Sequence, residues 1–204
     1  HTEFETSSFW KKNRKLLLMF YEWKQEIERG DFRVVETILY DYPEEDLIII
    51  QKDWEYIVGK IRAGEAHLLS EGDTQYLGAC TKGANKSSIR QQPYSDIMAP
   101  QRAYSLKQSY MTSIVREVIT DKRLTYFASK SELREKTIEE LLKERFAPYI
   151  EMTQKQMAEH LDVPFNPGNK AFIAKLISSL LGVKGTHLDK IAEFAKANIQ
   201  FKTV

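Results

Sequence analysis

The amino-acid sequence predicts an α/β chain of mixed α+β type, with a first part that alternates strands and helices and a mainly helical last part. Three observations predict this class. Apolar, β-branched and aromatic runs of strand length recur before residue 107, a helical apolar period begins at Ile50, and helix-capping patterns follow residue 136. We therefore expect two domains, residues 1–122 and 138–204, joined by a linker over residues 123–137.

The first elements are predicted by hydrophobic period. "RKLLLMFYEW" and "RVVETILY" are separated by a charged connection, which indicates a hairpin. "DLIIIQKDWEYIVGKIRAG" has apolar residues at helical spacing and Gly64 at the position of a C-cap, so we expect a helix on the sheet with Trp54 in the core. "TQYLGAC" and "AYSLK" are predicted strands, and the polar stretch over residues 81–96 is predicted to be a long loop.

The later elements are predicted by their caps. "MTSIVREVI" is expected to begin a helix after a cap at Thr112 or Ser113. "TIEE" predicts a capping box for the next helix, and Thr153 predicts a cap for the one after it. The last helix, "KAFIAKLISSLLGV", is too apolar to lie in a major groove, so a three-helix packing unit is favoured over a helix-turn-helix DNA reader.

Composition excludes several classes of protein. The 204 residues are 42% hydrophobic and 29% charged, as in globular proteins, and no apolar run approaches the roughly 20 residues of a membrane span. No signal-peptide pattern is present at the start of the sequence, which predicts a cytoplasmic location. A single cysteine, Cys80, excludes an internal disulfide framework and a cysteine-based zinc site. The four histidines are scattered, so we expect no metal cluster from them.

Charge is distributed unevenly along the chain. Residues 31–79 hold eleven acids against four bases, a net charge of −7, whereas residues 80–123 hold eight bases against three acids, a net charge of +5. A locally basic stretch in a chain of net charge +1 is typical of a polyanion-binding face, and a solvated surface is the alternative.

The end of the chain contains a possible remnant of a metal site. In "IAEFAKANIQFKTV", Glu193, Gln200 and Lys202 nearly form the pattern of two carboxylates and a lysine that holds Mg²⁺ against a phosphodiester. An amide at position 200 would bind a hard cation much more weakly than a carboxylate. The alternative is a helix that runs into an ordinary strand.

Three longer strings carry a family resemblance: "FETSSF", "HLLSEGDTQYLGACTKGANKSSIRQQPYSDI" and "RAYSLKQSYMTSIVR". Over about residues 2–118 the chain resembles the MutH family, and most closely its Sau-type restriction endonucleases that cut at GATC. The resemblance implies a partial restriction-endonuclease-like MutH fold, in which residues 1–122 form the back half of a catalytic and DNA-binding domain. The front half, with a complete Asp, Glu-x-Lys frame, is expected to precede this chain.

The ending is similar to the front half of the same fold, so residues 138–204 are expected to begin a second, degenerate copy. The resemblance places the family's aspartate, glutamate and lysine on Glu193, Gln200 and Lys202. It places a supporting catalytic lysine on Lys12, with Lys11 as the neighbouring alternative. The tyrosine by which MutH senses adenine methylation falls on Ser105, or on Tyr104 if the alignment shifts by one residue. The resemblance assigns DNA binding to Thr81, Lys82, Gly83, Asn85, Lys86, Arg90, Arg102, Tyr104, Ser105 and Lys107.

The resemblance thus implies sequence-specific binding of double-stranded DNA as part of a GATC-specific, Mg²⁺-dependent restriction endonuclease. The parent enzyme is expected to use Mg²⁺, whereas this chain is expected to bind no metal and to be inactive alone. A non-catalytic DNA-binding regulator and a mismatch-repair nicking protein of MutH type are the alternatives. Double-stranded DNA is the expected partner, no membrane is involved, and self-association through exposed half-domain surfaces is a further expectation, as is a permuted or swapped domain.

Overall fold

The computed structural model describes residues 3–83 and 87–203. Its contacts divide the chain into two compact units, one of residues 1–73 and 79–105 and one of residues 74–78 and 106–204. The first unit mixes helices and strands, and the second is mainly helical, so the predicted α+β class is confirmed. Among the described residues, no helix is long and apolar enough to cross a membrane.

The division by contacts lies near residue 105, whereas the sequence predicted a boundary at residue 122. The assignment of residues 1–122 and 138–204 to halves of two MutH-like domains stays a prediction. The elements up to residue 106 are α1 Ser8–Asn13, β1 Leu16–Glu22, β2 Arg33–Tyr40, α2 Glu44–Arg62, β3 Leu77–Thr81, β4 Ile89–Gln92, β5 Ser95–Pro100 and β6 Arg102–Leu106.

The predicted hairpin is confirmed as the antiparallel pair of β1 and β2, in which Leu17 lies opposite Leu39 and Met19 opposite Thr37. Alternate residues of β1 are exposed, and they include Leu17, Met19 and Tyr21 at 69%, 46% and 54% exposure. Because strand residues alternate between faces, these side chains form an exposed apolar face. Self-association through such a surface stays a prediction.

Helix α2 forms because apolar side chains recur on one face and three acids occupy its first turn, where they favour the helix dipole. Ile50, Trp54 and Ile57 are buried, so the core position predicted for Trp54 is confirmed. The chain leaves the helix at Gly64, whose φ of +73° is the left-handed conformation expected after a helix end. A Cβ at Gly64 would lie 2.7 Å from the carbonyl oxygen of Tyr94, so the position is also sterically restricted to glycine.

The prediction of a long loop over residues 81–96 is wrong in its second half, where β4 and β5 form an antiparallel hairpin. The polar composition hid these strands because a hairpin on a protein surface needs few apolar residues. Buried Gln92 takes the place of an apolar side chain: its amide donates to the Ile97 carbonyl at 2.6 Å and accepts from the Ala66 N–H at 2.8 Å. It thereby fastens the hairpin to the short 3-10 turn of residues 66–68.

The second unit begins its regular structure with the predicted helix, but the predicted cap is wrong. The helix starts at Gln108, and Ser113 lies inside it, where its hydroxyl donates to the carbonyl of Ser109 one turn earlier. The helices of this unit are α3 Gln108–Thr120, α4 Lys130–Glu135, α5 Ile138–Phe146, α6 Gln154–His160, α7 Phe172–Leu180 and α8 Ala192–Ala197.

Residues 123–137 contain regular structure, in contrast to the predicted linker. Ser129 begins α4 with a capping box that includes Glu132, and Leu133 on that helix is only 1% exposed. Thr125 forms a parallel β-bridge with Ile191. The sequence of residues 123–137 shows no sustained hydrophobic period because the segment forms only short elements, which pack through single residues.

Two of the three helices predicted to form a packing unit, α6 and α7, share one hydrophobic cluster that contains Ala158, Val163, Phe172 and Leu176. The packing of α5 in the same unit stays a prediction. The two predicted caps are confirmed as capping boxes at Thr137, with Glu140, and at Thr153, with Gln156. Each box satisfies backbone N–H groups that the first helical turn leaves unpaired.

Leu133 tests the packing of the segment predicted to be a linker. We expect Leu133→Ala to lower the free energy of unfolding by about 2–5 kcal/mol, because it leaves a cavity in a closely packed site. The matched control is Ile150→Ala in the same unit, where the side chain is 71% exposed and the expected change is within about 0.5 kcal/mol. Urea denaturation measures both, and equal small changes would show that residues 130–135 do not pack as described.

Candidate nucleic-acid interface

The candidate interface of the first unit begins where β3 ends. Thr81, Lys82 and Gly83 are all exposed there, as the prediction of DNA contacts requires. The predicted contacts Asn85 and Lys86 lie outside the described residues. Arg90, on the following strand β4, is also exposed.

Gln101, which the sequence analysis did not single out, connects the parts of this surface. Its carbonyl accepts from the Lys82 N–H at 2.8 Å, and its own N–H donates to the Ser88 carbonyl at 3.1 Å. Its side-chain oxygen accepts from Nε of Arg90 at 3.0 Å. The sequence carries no signal for this role, because a glutamine between two predicted strands is usually an ordinary surface residue.

Arg102 lies on β6 and is half-buried. Its two terminal amino groups donate to the carbonyl of Ala79, at 2.7 Å, and to the carbonyl of Leu69. Its Nε is buried without a hydrogen-bond partner in the described part of the chain. The guanidinium therefore binds backbone within the unit, and its predicted role as a DNA contact would require these bonds to be shared or exchanged.

Arg90, Gln101 and Arg102 line one groove of about 370 Å³. The described lining contains two arginines and three glutamines but no carboxylate. Two cations in a concave lining without a described carboxylate favour the binding of an anion.

Tyr104 and Ser105 follow on β6, and the strand places their side chains on opposite faces. The Tyr104 ring packs against Phe9, with 5.7 Å between ring centroids, and against the cluster of Ile57, Leu69 and Ala79. Burial raises the pKa of the Tyr104 phenol. Tyr104 thus contributes to the core of the first unit, and its predicted DNA contact and that of Ser105 stay predictions.

The two remaining predicted lysines are in different environments. Lys12 lies in the last turn of α1 and is exposed, as is the neighbouring alternative Lys11. Lys107 belongs to the second unit, where its ammonium donates to the carbonyl of Thr74 and its backbone N–H donates to the carbonyl of Tyr76 at 2.8 Å. Lys107 therefore has an internal role at the start of α3.

The predicted frame of Glu193, Gln200 and Lys202 is not arranged as a metal site. Glu193 lies in α8 at 0% exposure, and its carboxylate accepts from the N–H groups of Phe127 at 3.2 Å and Ala128 at 3.1 Å. Gln200 and Lys202 are exposed in a segment that forms no strand, contrary to the prediction. In residues 3–83 and 87–203, no three His, Cys, Asp or Glu side chains form a group that could hold a metal ion. These residues do not fit Mg²⁺ in this arrangement.

Lys196, one turn after Glu193, is the second buried ionisable residue of α8. The sequence analysis did not single it out. Its ammonium donates to the hydroxyl of Tyr126 at 2.8 Å, and it lies 4.9 Å from the centre of that ring and 5.8 Å from the ring of Tyr110. The carboxylate of Glu117 is 3.9 Å away. The spacing of a glutamate and a lysine three residues apart is too common on helix surfaces to predict burial.

Glu193 predicts a pH-dependent stability. Burial raises its pKa to about 7, although hydrogen bonds from backbone N–H groups and the charge of Lys196 act in the opposite direction. A raised folded-state pKa gives a stabilisation that is complete below pH 4.5, the ordinary value, and is lost as the pH rises through 7. We expect the free energy of unfolding to fall by about 3 kcal/mol over this pH range. Glu193→Gln is neutral at every pH, so it should remove this pH dependence.

Chemical denaturation between pH 5 and pH 8 measures the effect. The matched control is Glu159→Gln, at an exposed position in the same unit, which should keep the pH dependence of the unchanged chain. The prediction is wrong if Glu193→Gln and Glu159→Gln show the same pH dependence.

Comparison with known proteins connects these features to a family. The family model described as DNA mismatch repair enzyme MutH matches residues 1–53, which cover α1, both strands of the first hairpin and the first half of α2. The type II restriction enzyme Sau3AI of Staphylococcus aureus is 42% identical over 210 residues, which cover 98% of this chain and 42% of that protein.

Two DNA mismatch repair proteins MutH are more distant relatives. The protein of a Shewanella species is 26% identical and that of Shewanella baltica 27% identical, each over 110 residues, or 52% of this chain and 49% of the relative. The chain spans less than half the length of all these relatives. The alignment with Sau3AI covers 98% of the chain and therefore includes both units. The match to the MutH family model covers the first elements of the first unit. The chain is therefore related to the MutH family and to the type II restriction enzyme Sau3AI, as its motifs predicted.

Proposed function

We propose that this chain binds double-stranded DNA in a sequence-specific manner, as part of a GATC-specific restriction endonuclease that hydrolyses phosphodiester bonds with Mg²⁺. The observation that carries the proposal is the 42% identity to Sau3AI along 98% of the chain. Because the chain spans only 42% of that enzyme, the activity of the whole enzyme belongs to the proposal too.

The surface around the end of β3 supports the DNA-binding part of the proposal. Lys82 and Arg90 are exposed cations within 10 residues of each other, and Arg90 borders a groove whose described lining has no carboxylate. Exposed lysines and arginines neutralise phosphates and give affinity, whereas contacts with base edges give specificity. We assign Lys82 to a guanine edge, where an ammonium donates to O6 or N7, and Arg90 to the backbone.

Hydrolysis by the parent enzyme is proposed to use Mg²⁺, with the supporting lysine at Lys12. The geometry of Glu193 argues against a metal role for the end of this chain, because both oxygens of its buried carboxylate already accept backbone hydrogen bonds. We therefore propose that the chain alone does not hydrolyse DNA.

A mismatch-repair nicking role is the second candidate, supported by the match to MutH over residues 1–53. Two observations favour the restriction enzyme. The identity to Sau3AI is higher and covers nearly the whole chain, and Tyr104, the alternative methylation sensor, is packed against Phe9. A serine at position 105 is too short to replace a tyrosine in that role. The third candidate is a non-catalytic DNA-binding regulator. Such a protein would bind DNA in the same way, but a longer protein that contains this chain would not cleave DNA.

DNA binding predicts a defined dependence on salt. With about three phosphates neutralised by the basic residues of the 81–90 stretch, the logarithm of affinity should fall with the logarithm of salt concentration at a slope of about −2.7. Fluorescence anisotropy with a labelled duplex of about 20 base pairs, a length chosen to cover about two helical turns, measures this slope. A slope near zero would overturn the proposed function.

Specificity depends on Lys82 in this proposal. Lys82→Ala should reduce the preference for a GATC duplex over a scrambled duplex by about 1–3 kcal/mol, because it removes a donor to a base edge. Arg90→Ala should weaken binding to both duplexes equally and reduce the salt slope by about one. Lys155→Ala, at an exposed position of the second unit, is the control for the loss of one positive charge. Equal losses on both duplexes for Lys82→Ala would mean that Lys82 belongs to a general electrostatic surface.

A further inference from the structure

We infer that Gln101 is a positioning residue for DNA binding, which binds both ends of the 82–88 stretch, at Lys82 and Ser88, and orients the guanidinium of Arg90 toward a DNA phosphate. This inference rests on the proposed function and adds to it a residue that contacts no DNA itself. Its basis is a set of three hydrogen bonds made by one residue between β5 and β6.

The backbone bonds of Gln101 fix the two ends of the stretch. Its carbonyl receives the Lys82 N–H, just after β3, and its N–H reaches the Ser88 carbonyl, just before β4. Two residues that are six positions apart in sequence, Lys82 and Ser88, are thus bonded to the two backbone polar groups of one residue. Gln101 therefore holds the N–H of Lys82 and the start of β4 together.

The side chain of Gln101 acts on Arg90. Its Oε1 accepts from Arg90 Nε at 3.0 Å, a normal hydrogen-bond length. Among the described residues, no other hydrogen-bond partner of the Arg90 guanidinium is found, and the side chain is exposed. Because the guanidinium is planar, a fixed Nε–H also fixes the plane of the two terminal amino groups. Those groups match two oxygens of a phosphate.

This arrangement lowers the cost of binding. An exposed arginine samples many rotamers and loses that freedom when it contacts a phosphate. Because the hydrogen bond to Gln101 already restricts the Arg90 side chain, less conformational entropy is lost when Arg90 contacts a phosphate. Gln101 is uncharged, so it restricts Arg90 and leaves the positive charge of Arg90 available to the phosphate. A carboxylate at the same position would compensate that charge.

A double-mutant cycle tests the inference. Gln101→Met keeps the size of the side chain and the backbone bonds but removes the acceptor, so affinity for a duplex should fall about threefold to tenfold, the cost of ordering one long side chain on binding. In the Arg90→Ala background the same change should have almost no effect. Gln25→Met is the matched control, because Gln25 is an exposed glutamine of the same unit that does not line the groove, and it should leave affinity unchanged in both backgrounds.

A second variant leaves Gln101 intact. Arg90→Lys keeps the charge but has no planar group for Gln101 to hold, so it should bind DNA more weakly than the unchanged chain, with the same salt slope. All variants are compared on GATC and scrambled duplexes, and circular dichroism verifies folding. Equal affinities for Arg90→Lys and the unchanged chain would overturn the inference, since charge alone would then suffice.

The outcomes separate the inference from the function on which it rests. Absence of salt-dependent binding by the unchanged chain would overturn both. Binding in which Gln101→Met causes the same loss of affinity in the Arg90→Ala background as in the unchanged chain would overturn the inference alone. A loss confined to the GATC duplex would overturn the assignment of Arg90 to a phosphate and point to a guanine edge.

Discussion

Two ionisable groups in the core of the second unit, the Glu193 carboxyl and the Lys196 ammonium, impose the constraint on which the packing of that unit depends. Both side chains are fully buried on the six-residue helix α8. Burial of a charge is strongly unfavourable unless hydrogen bonds and opposite charges compensate it. The surroundings must therefore supply partners, and residues distant in sequence are held in place to do so.

The partners come from two segments. Phe127 and Ala128 present their N–H groups to Glu193, which fixes the chain just before α4, and the carboxylate of Glu117 on α3 lies 3.9 Å from the Lys196 ammonium. A helix of six residues has little stability of its own in water. The same polar contacts that compensate the charges therefore also stabilise α8 and join it to α3.

The sequence predicted the elements whose signal is local. The first hairpin, α2 and the capping boxes at Thr137 and Thr153 depend on period and on residues three positions apart, and all were found. The elements that were missed depend on contacts over long sequence distances. Strand β4 has a single apolar residue, Ile89, and the hairpin it forms with β5 is held by Gln92, 26 residues from its partner Ala66. No local pattern reveals such a bond.

The candidate site was predicted to a similar extent. Exposed Lys82 and Arg90 could be identified because charge and family resemblance both indicate them. The roles of Gln101, Arg102 and Glu193 could not, because each depends on which backbone group lies opposite the side chain in the folded chain. The terminal pattern shows this most clearly: Glu193 has the residue type of a metal ligand, but the fold uses its carboxylate to bind two N–H groups.

The steric restriction at Gly64 has a consequence for the candidate nucleic-acid interface. The turn of the second hairpin approaches this residue so closely that its Tyr94 carbonyl occupies the space of a Cβ. Any side chain there would push the turn away from the end of α2, and Arg90 would move with its strand. The position of Arg90 therefore depends on a residue that carries no functional group, and the requirement for glycine at position 64 comes from the space that the turn occupies.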